Sequence, residues 1–236
     1  MNSYQAVALG GAGGETATES SGSAAYCRSM QTTMKELLGA AGITPHAAVT
    51  DEKGALVASH SVLKKDGVNA YFGLLRDNSS RMLLGAIDLT KGPVVTVKLP
   101  VSGVIYDVRT GKILAKGNTF TTRAPGGYGQ LFAILPKEVG APAVTLPAQV
   151  TAGQVVKVRA AAPGAIGATV YRIEVKDPAG KVQRIYSKNV RFATPAADFA
   201  FQIPFNAEPG TWRVTVIHVA SQRRTEKPFT VQSAQK

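Results

Sequence analysis

Apolar and polar residues alternate along most of the chain, in short segments separated by turn residues. The clearest segment is "TWRVTVIHV", which follows a Glu-Pro-Gly turn and would place Trp212, Val214, Val216 and His218 on one face. Successive side chains of a strand point to opposite faces, so only one face of this segment can be buried. Similar segments with Gly, Asn and Asp turns recur from residue 46 onward. The pattern predicts a mainly β chain of two consecutive antiparallel β-sandwiches, preceded by a short N-terminal helix.

Composition divides the chain into three regions. Residues 1–45 hold a Gly/Ser-rich segment that suits a flexible loop, followed by one helix. Residues 46–140 are expected to form a β-sandwich. A proline-rich stretch, "PKEVGAPAVTLP", then marks a connection to residues 141–236. This last region has the length of an immunoglobulin-like sandwich, about 100 residues.

The predicted helix lies in "YCRSMQTTMKELLGAAGI", where apolar residues recur at helical spacing between residues 26 and 38. One amphipathic helix cannot bury its apolar face alone. We therefore expect it to pack on another element, and an exposed apolar face would indicate a partner domain that this chain lacks.

Turn residues predict where the strands reverse. Turns are expected at residues 51–54, 77–80 and 109–111 of the second region, and at "VKDPAGKV" in the third. The strand in "GPVVTVKLP" is expected to end at Pro100.

The net charge is +12, and residues 141–236 carry thirteen basic against five acidic groups. These cations are dispersed along alternating strands, which is typical of a solvated surface rather than a specific nucleic-acid site. A basic surface can also attract an acidic polymer. Arg223 and Arg224 form a basic doublet and are the candidate residues for binding a polyanion.

No motif predicts catalysis, a cofactor or a metal site. The glycine-rich segment lacks the spacing of a phosphate-binding loop. His46, His60 and His218 lie in different segments, and the single Cys27 can build neither an internal disulfide nor a cysteine zinc site. Most carboxylates occur in turns; Asp88 and Asp107 are the pair that turn formation explains least readily. We expect no catalytic, cofactor-binding or metal-binding residue.

Trp212 is the only tryptophan. In a sandwich its expected role is structural, in the core against the opposite sheet, beside Val170 or Ile173. The alternative is an exposed platform for a sugar ring, which would have to lie at the surface.

Several segments together resemble the C-terminal accessory region of large β-galactosidase-like glycoside hydrolases. "MQTTMKELLGAAGITPHAAV" is similar to the last helix and exit strand of their amidotransferase-like, flavodoxin-like domain. "AYFGLLRDNSSRMLLGAIDL", "GQLFAILP" and, most specifically, "VKLPVSGVIYDVRTGKILAKG" resemble the sandwich that follows. "VKDPAGKV" and "PFNAEPGTWRVTVIHVAS" resemble a macroglobulin-like or immunoglobulin-like module. The resemblance covers nearly the whole chain.

The resemblance implies that the catalytic carboxylates belong to a separate (β/α)8 barrel upstream, for which no part of this chain is patterned. Residues 1–45 would be the remnant of the flavodoxin-like domain. The expected function is a non-catalytic structural segment of a carbohydrate-active enzyme, packing on its catalytic domain or another subunit. The alternative is a stand-alone basic module that binds an acidic polysaccharide.

The sequence leaves the compartment open. The N-terminus lacks a basic stretch followed by an apolar core, so no signal peptide is expected, whereas the implied parent enzyme would be exported. No apolar run approaches the roughly 20 residues that a transmembrane helix needs.

Overall fold

The computed structural model describes residues 29, 32–34, 36–43, 45–57, 59–76 and 92–233. Within these residues the chain forms fourteen strands and one short helical segment with helical residues at 32–34 and 36–40, which confirms the expected mainly β class. The strands are β1 (Ala48–Thr50), β2 (Ser59–Asp66), β3 (Asn69–Arg76), β4 (Val94–Asp107), β5 (Ile113–Arg123), β6 (Gly129–Leu135), β7 (Ala143–Thr145), β8 (Gln149–Thr151), β9 (Val155–Ala161), β10 (Thr169–Lys176), β11 (Lys188–Phe192), β12 (Ala196–Gln202), β13 (Gly210–His218) and β14 (Arg224–Gln232).

The described residues divide into two compact units. Unit 1 takes those within Met1–Lys64, Tyr71–Ser102 and Leu114–Leu131. Unit 2 takes those within Lys65–Ala70, Gly103–Ile113 and Phe132–Lys236. The hairpin turns after β2 and after β4 therefore belong to unit 2, together with the described residues of the third region of the sequence.

A six-stranded sheet follows the order β1-β4-β6-β3-β2, with β5 paired to β4. Its longest strand, β4, runs through Pro100, so the expectation that this proline ends the strand was wrong. The reason lies in the register: β1 pairs with residues 96–98 of β4, and β6 pairs with residues 104–107. Pro100 lies between these two ladders, where its missing N–H removes no bond to either strand.

Aspartates hold the predicted turns. The Oδ1 atom of Asp51 accepts bonds from the backbone N–H groups of Lys53 and Ala55, at 2.9 and 2.8 Å. The backbone oxygen of Asp107 accepts the N–H of Gly111 at 2.8 Å, and Gly111 has the positive φ of 70° that glycine adopts without strain. These two predicted turns are confirmed, and the one at residues 77–80 lies outside the described residues.

The third region forms a sandwich of two sheets within unit 2. One sheet has the order β11-β10-β13-β14-β8, in which β8 and β14 run parallel and the other pairs antiparallel. The second has the order β12-β9-β7. The Tyr171 hydroxyl, on β10, accepts the N–H of Ala162 at 2.9 Å and donates to the Pro195 carbonyl at 2.7 Å. One buried side chain thus joins the first sheet to the ends of the second.

Trp212 lies on β13 with only 4% of its surface exposed. Its Nε1–H donates to the Glu208 carbonyl at 3.0 Å, and its ring centre lies 6.4 Å from that of Phe229 on β14. Val170 and Ile173 belong to β10, which pairs with β13 in the same sheet, so they are not the opposing neighbours expected from sequence. Phe229 instead makes the contact to the opposite sheet, with its ring centre 6.3 Å from that of Phe201.

The helical segment leaves Met34 and Leu37 exposed, and Leu38 is half-buried. The described part of the chain therefore does not cover the apolar face of the helix. No helix among the described residues has both the length and the hydropathy needed to cross a membrane.

Candidate binding cleft between two edge strands

A cavity of about 660 Å³ opens in unit 2 between β11 and β12. Each of these strands lies at the end of its sheet among the described strands. The cleft is lined mainly by aromatic and aliphatic side chains: Ile185, Tyr186, Lys188, Phe199, Ala200, Phe201, Gln202, Ile203, Pro204, Phe205 and Asn206. The volume lies within the range of small-molecule sites, although this cleft is open to solvent.

The strand register places the aromatic rings in the cleft. Phe199 and Phe201 pair with Val158 and Val156 of β9, whose side chains are buried between the sheets. Residues directly opposite one another share a face, so both phenylalanines point toward the facing sheet. Because β12 is an edge strand, their rings are only half-buried there.

Tyr186 lies against this aromatic wall. Its ring centre is 5.2 Å from that of Phe201, and the two planes are inclined by 37°. Burial raises the pKa of the Tyr186 phenol above its usual value, so the hydroxyl is protonated at neutral pH. The cleft thus has a wall of two rings in a tilted arrangement.

Phe205 is the most exposed aromatic side chain of the described residues, with 76% of its surface accessible. Its ring lies directly over Gly153, where a Cβ atom would collide with it. Gly153 has a φ of 90°, and its N–H donates to the Ile203 carbonyl at 3.0 Å. The Gln202 amide also donates to the Gly153 carbonyl at 2.9 Å. These bonds join the backbone beneath the ring to the end of β12, two residues before Phe205.

Lys188 is the single charged residue among those lining the cleft. It pairs with Ile173 of β10, whose side chain is buried, so Lys188 lies on the inward face of its strand. At the sheet edge this side chain is exposed. The cleft therefore offers two kinds of contact, flat apolar rings and one cation.

Arg223 and Arg224 lie elsewhere, exposed at the start of β14. Arg224 pairs with Ile217, which pairs with Arg172, so these residues share the outward face of the five-stranded sheet. Within the described strands this face carries more cations than carboxylates: Arg172, Lys176, Arg191, Arg213 and Arg224 against Glu174 and Glu226.

Ion pairs occupy the centre of that outward face. Glu226 accepts a bond from the Lys176 ammonium at 2.9 Å and lies 3.5 Å from the Arg213 guanidinium. The bond from Lys176 holds the pKa of the Glu226 carboxyl below its usual value. Arg172 is paired with Glu174 at 2.7 Å. Arg224 lies at the margin of this group of ion pairs.

The histidines have separate environments. His46 is bonded to the Ser61 hydroxyl at 3.0 Å, and His60 is exposed. His218 is buried, with its two ring nitrogens 2.9 Å from the hydroxyls of Thr169 and Ser221. Among the described residues no group of three or more potential ligands could hold a metal ion.

Of the two carboxylates singled out in the sequence, Asp107 is described. Its Oδ1 atom accepts the N–H of Arg109 at 2.9 Å, within the turn after β4. Asp88 lies outside the described residues. The side chain of Asp107 thus stabilises a turn.

Sequence reasoning did not single out Phe205, and it treated Tyr186 as one of several aromatic residues dispersed over both sandwiches. An isolated phenylalanine is normally assigned to the core. The available signal was the position of Phe205, after Pro204 and past the last alternating residue of its strand. An aromatic residue in a turn has no sheet face on which to be buried.

The scan against protein families finds no matching family, and the search of curated proteins finds no match.

Proposed function

We propose that the chain is a non-catalytic accessory region of a carbohydrate-active enzyme, of the β-galactosidase-like kind that its sequence resembles. In this proposal unit 2 is the contact module. The observation that carries it is the cleft between β11 and β12, where Phe205 is exposed on a backbone that several hydrogen bonds hold in place. Exposed apolar patches of this kind mark interaction sites.

The roles of the carboxylates support the non-catalytic assignment. Asp51, Asp107 and Asp177 accept backbone N–H bonds within turns. Asp66 is bonded to the Arg191 guanidinium at 2.9 Å, and Glu226 is paired with two cations. Each of these groups has a structural partner, whereas a glycosidase needs two carboxyl groups that face one scissile bond.

The test is a hydrolysis assay of the purified chain on aryl β-galactosides. We expect no turnover, because the resemblance places the acid and the nucleophile in another domain. Asp107→Asn is the informative variant, and Asp51→Asn, which alters another turn, is its matched control. Turnover that Asp107→Asn abolishes and Asp51→Asn preserves would contradict the proposal.

A stand-alone module for an acidic polysaccharide is the second candidate function. It is favoured by the excess of cations on the outward face of the five-stranded sheet, where Arg224 lies at the margin. Such binding would be electrostatic and would weaken with added salt.

A further inference from the structure

We infer that the cleft binds one carboxylated sugar residue of a glycan. The ring of Phe205 would lie against the C–H face of the sugar, and Lys188 would pair with its carboxylate. The inference rests on the proposed function and adds to it the chemical class of the ligand and the site that binds it.

The first argument is the state of the Phe205 ring. An aromatic residue that becomes ordered only on binding would lose conformational freedom and affinity. The Phe205 ring already has a neighbour in the fold, because its Cδ1, Cε1 and Cζ atoms lie against Gly153. The rest of the ring remains accessible, because 76% of the surface of the residue is exposed. It therefore offers a flat apolar surface of the size of a pyranose ring.

The second argument is charge. Lys188 is the single charged residue lining the cleft, and it forms no ion pair within the described part of the chain. An anionic group on the ligand would complement this cation. Asn206 lines the same cleft and brings an amide group that matches sugar hydroxyls, and the Gln202 amide has an oxygen and a second N–H besides its bond to Gly153.

The third argument separates a sugar from a peptide. Edge strands can bind an extended peptide as an additional strand, and both β11 and β12 are edges. Inward-pointing charges and prolines oppose such pairing. Lys188 is an inward cation on β11, and Pro195 and Pro204 flank β12. These residues obstruct strand addition, but they leave the rings of the cleft accessible.

The experiment titrates the full chain with three trisaccharides and follows binding by NMR. The probes are tri-galacturonic acid, its methyl ester, which is neutral, and neutral galactotriose. We expect the acid to bind more tightly than the ester by up to about fivefold, as an exposed ion pair allows. Lys188→Gln should remove this difference. Phe205→Ala should weaken the acid and the ester alike, by roughly tenfold, because both lose the same ring contact.

Matched controls exclude general effects. Leu56→Ala removes an apolar side chain that is 75% exposed and lies outside the cleft, and Lys181→Gln removes an exposed lysine in the same unit. Both should bind all three probes like the unaltered protein. Equal binding of acid and ester, or an unchanged affinity in Phe205→Ala, would overturn the inference.

Two further results would also overturn it. One is a dimer in sedimentation that Phe205→Ala dissociates, which would assign the cleft to a second copy of the chain. The other is binding of an extended acidic peptide with no binding of the sugars. If the sugars do not bind and aryl galactosides are not hydrolysed, only this inference is rejected. Hydrolysis of aryl galactosides would instead reject the proposed function.

Discussion

The imidazole of His218 and the hydroxyl of Thr169 are bonded at 2.9 Å in a buried site of unit 2. The backbone N–H of Ser221 donates to Nδ1 of the same ring at 3.3 Å, so Nδ1 accepts and Nε2 carries the proton. Nε2–H therefore donates to Thr169 Oγ1. The ring edge also contacts Tyr171, with ring centres 5.8 Å apart. This arrangement suits the neutral imidazole, and burial lowers the pKa of His218 to about 4.

The His218 site predicts a stability that depends on pH. A depressed pKa means that the unfolded chain binds a proton between about pH 6.5 and 4 while the folded chain does not. The neutral His218 ring makes its full contribution to the unfolding free energy above pH 6.5. This contribution is lost as the pH falls toward 4. We expect His218 to lower the unfolding free energy by about 2 kcal/mol at pH 5 relative to pH 7.

Urea unfolding at the two pH values measures this effect. His218→Gln should flatten the pH dependence, and His60→Gln, at an exposed position, should preserve it. If the unfolding free energy changed with pH equally in the unaltered protein and in His218→Gln, groups other than His218 would be the cause.

Trp212→Ala should destabilise the protein strongly. The side chain is buried, and its removal leaves a cavity beside Phe229. Large-to-small core changes of this type cost about 3–5 kcal/mol, which would lower the melting temperature markedly. Phe205→Ala is the matched aromatic control and should change the melting temperature little, because its ring is exposed. Equal melting temperatures for Trp212→Ala and the unaltered protein would contradict a core role.

Gly153→Ala should cost more stability than Gly180→Ala. Both glycines have a positive φ, 90° and 80°, so alanine is strained at each. A Cβ at Gly180 meets no other atom, whereas one at Gly153 collides with the Phe205 ring. The difference between the two variants, measured by chemical unfolding, therefore reports the ring contact. It should shrink when Gly153→Ala is combined with Phe205→Ala, and a difference that persists in this double variant would place its cause elsewhere.

Retention on a heparin column should be weak and should fall smoothly with salt, because the cations of unit 2 are dispersed and partly paired. Replacing Arg223 and Arg224 by glutamine should shift elution no more than replacing Lys181 and Lys227. If retention persisted to high salt and only the replacement of both arginines abolished it, the stand-alone polyanion-binding module would become the better assignment.

Local signals in the sequence predicted much of the fold. Alternation in β13 correctly placed Trp212, Val214, Val216 and His218 on the buried face. Turn chemistry predicted the reversals at Asp51 and Asp107, because one aspartate and a nearby glycine suffice to define such turns.

Features that depend on contacts distant in sequence were not predictable. Pro100 was expected to end a strand, but it lies between the part of β4 that pairs with β1 and the part that pairs with β6. The aromatic neighbour of Trp212 is Phe229, which depends on how β13 pairs with β14. The cleft needs two edge strands from different sheets, and no local pattern encodes that meeting.

The parallel pairing of β8 with β14 has a mechanical consequence. The Thr230 N–H donates to the Ala148 carbonyl and the Ala152 N–H donates to the Gln232 carbonyl, both at 2.9 Å, at the two ends of this ladder. Suppose that a force pulls the residues preceding β8 away from the residues following β14. Because the two strands are parallel, they would then slide past each other. Because the bonds lie across that direction, they would share the load and rupture together rather than unzip in turn.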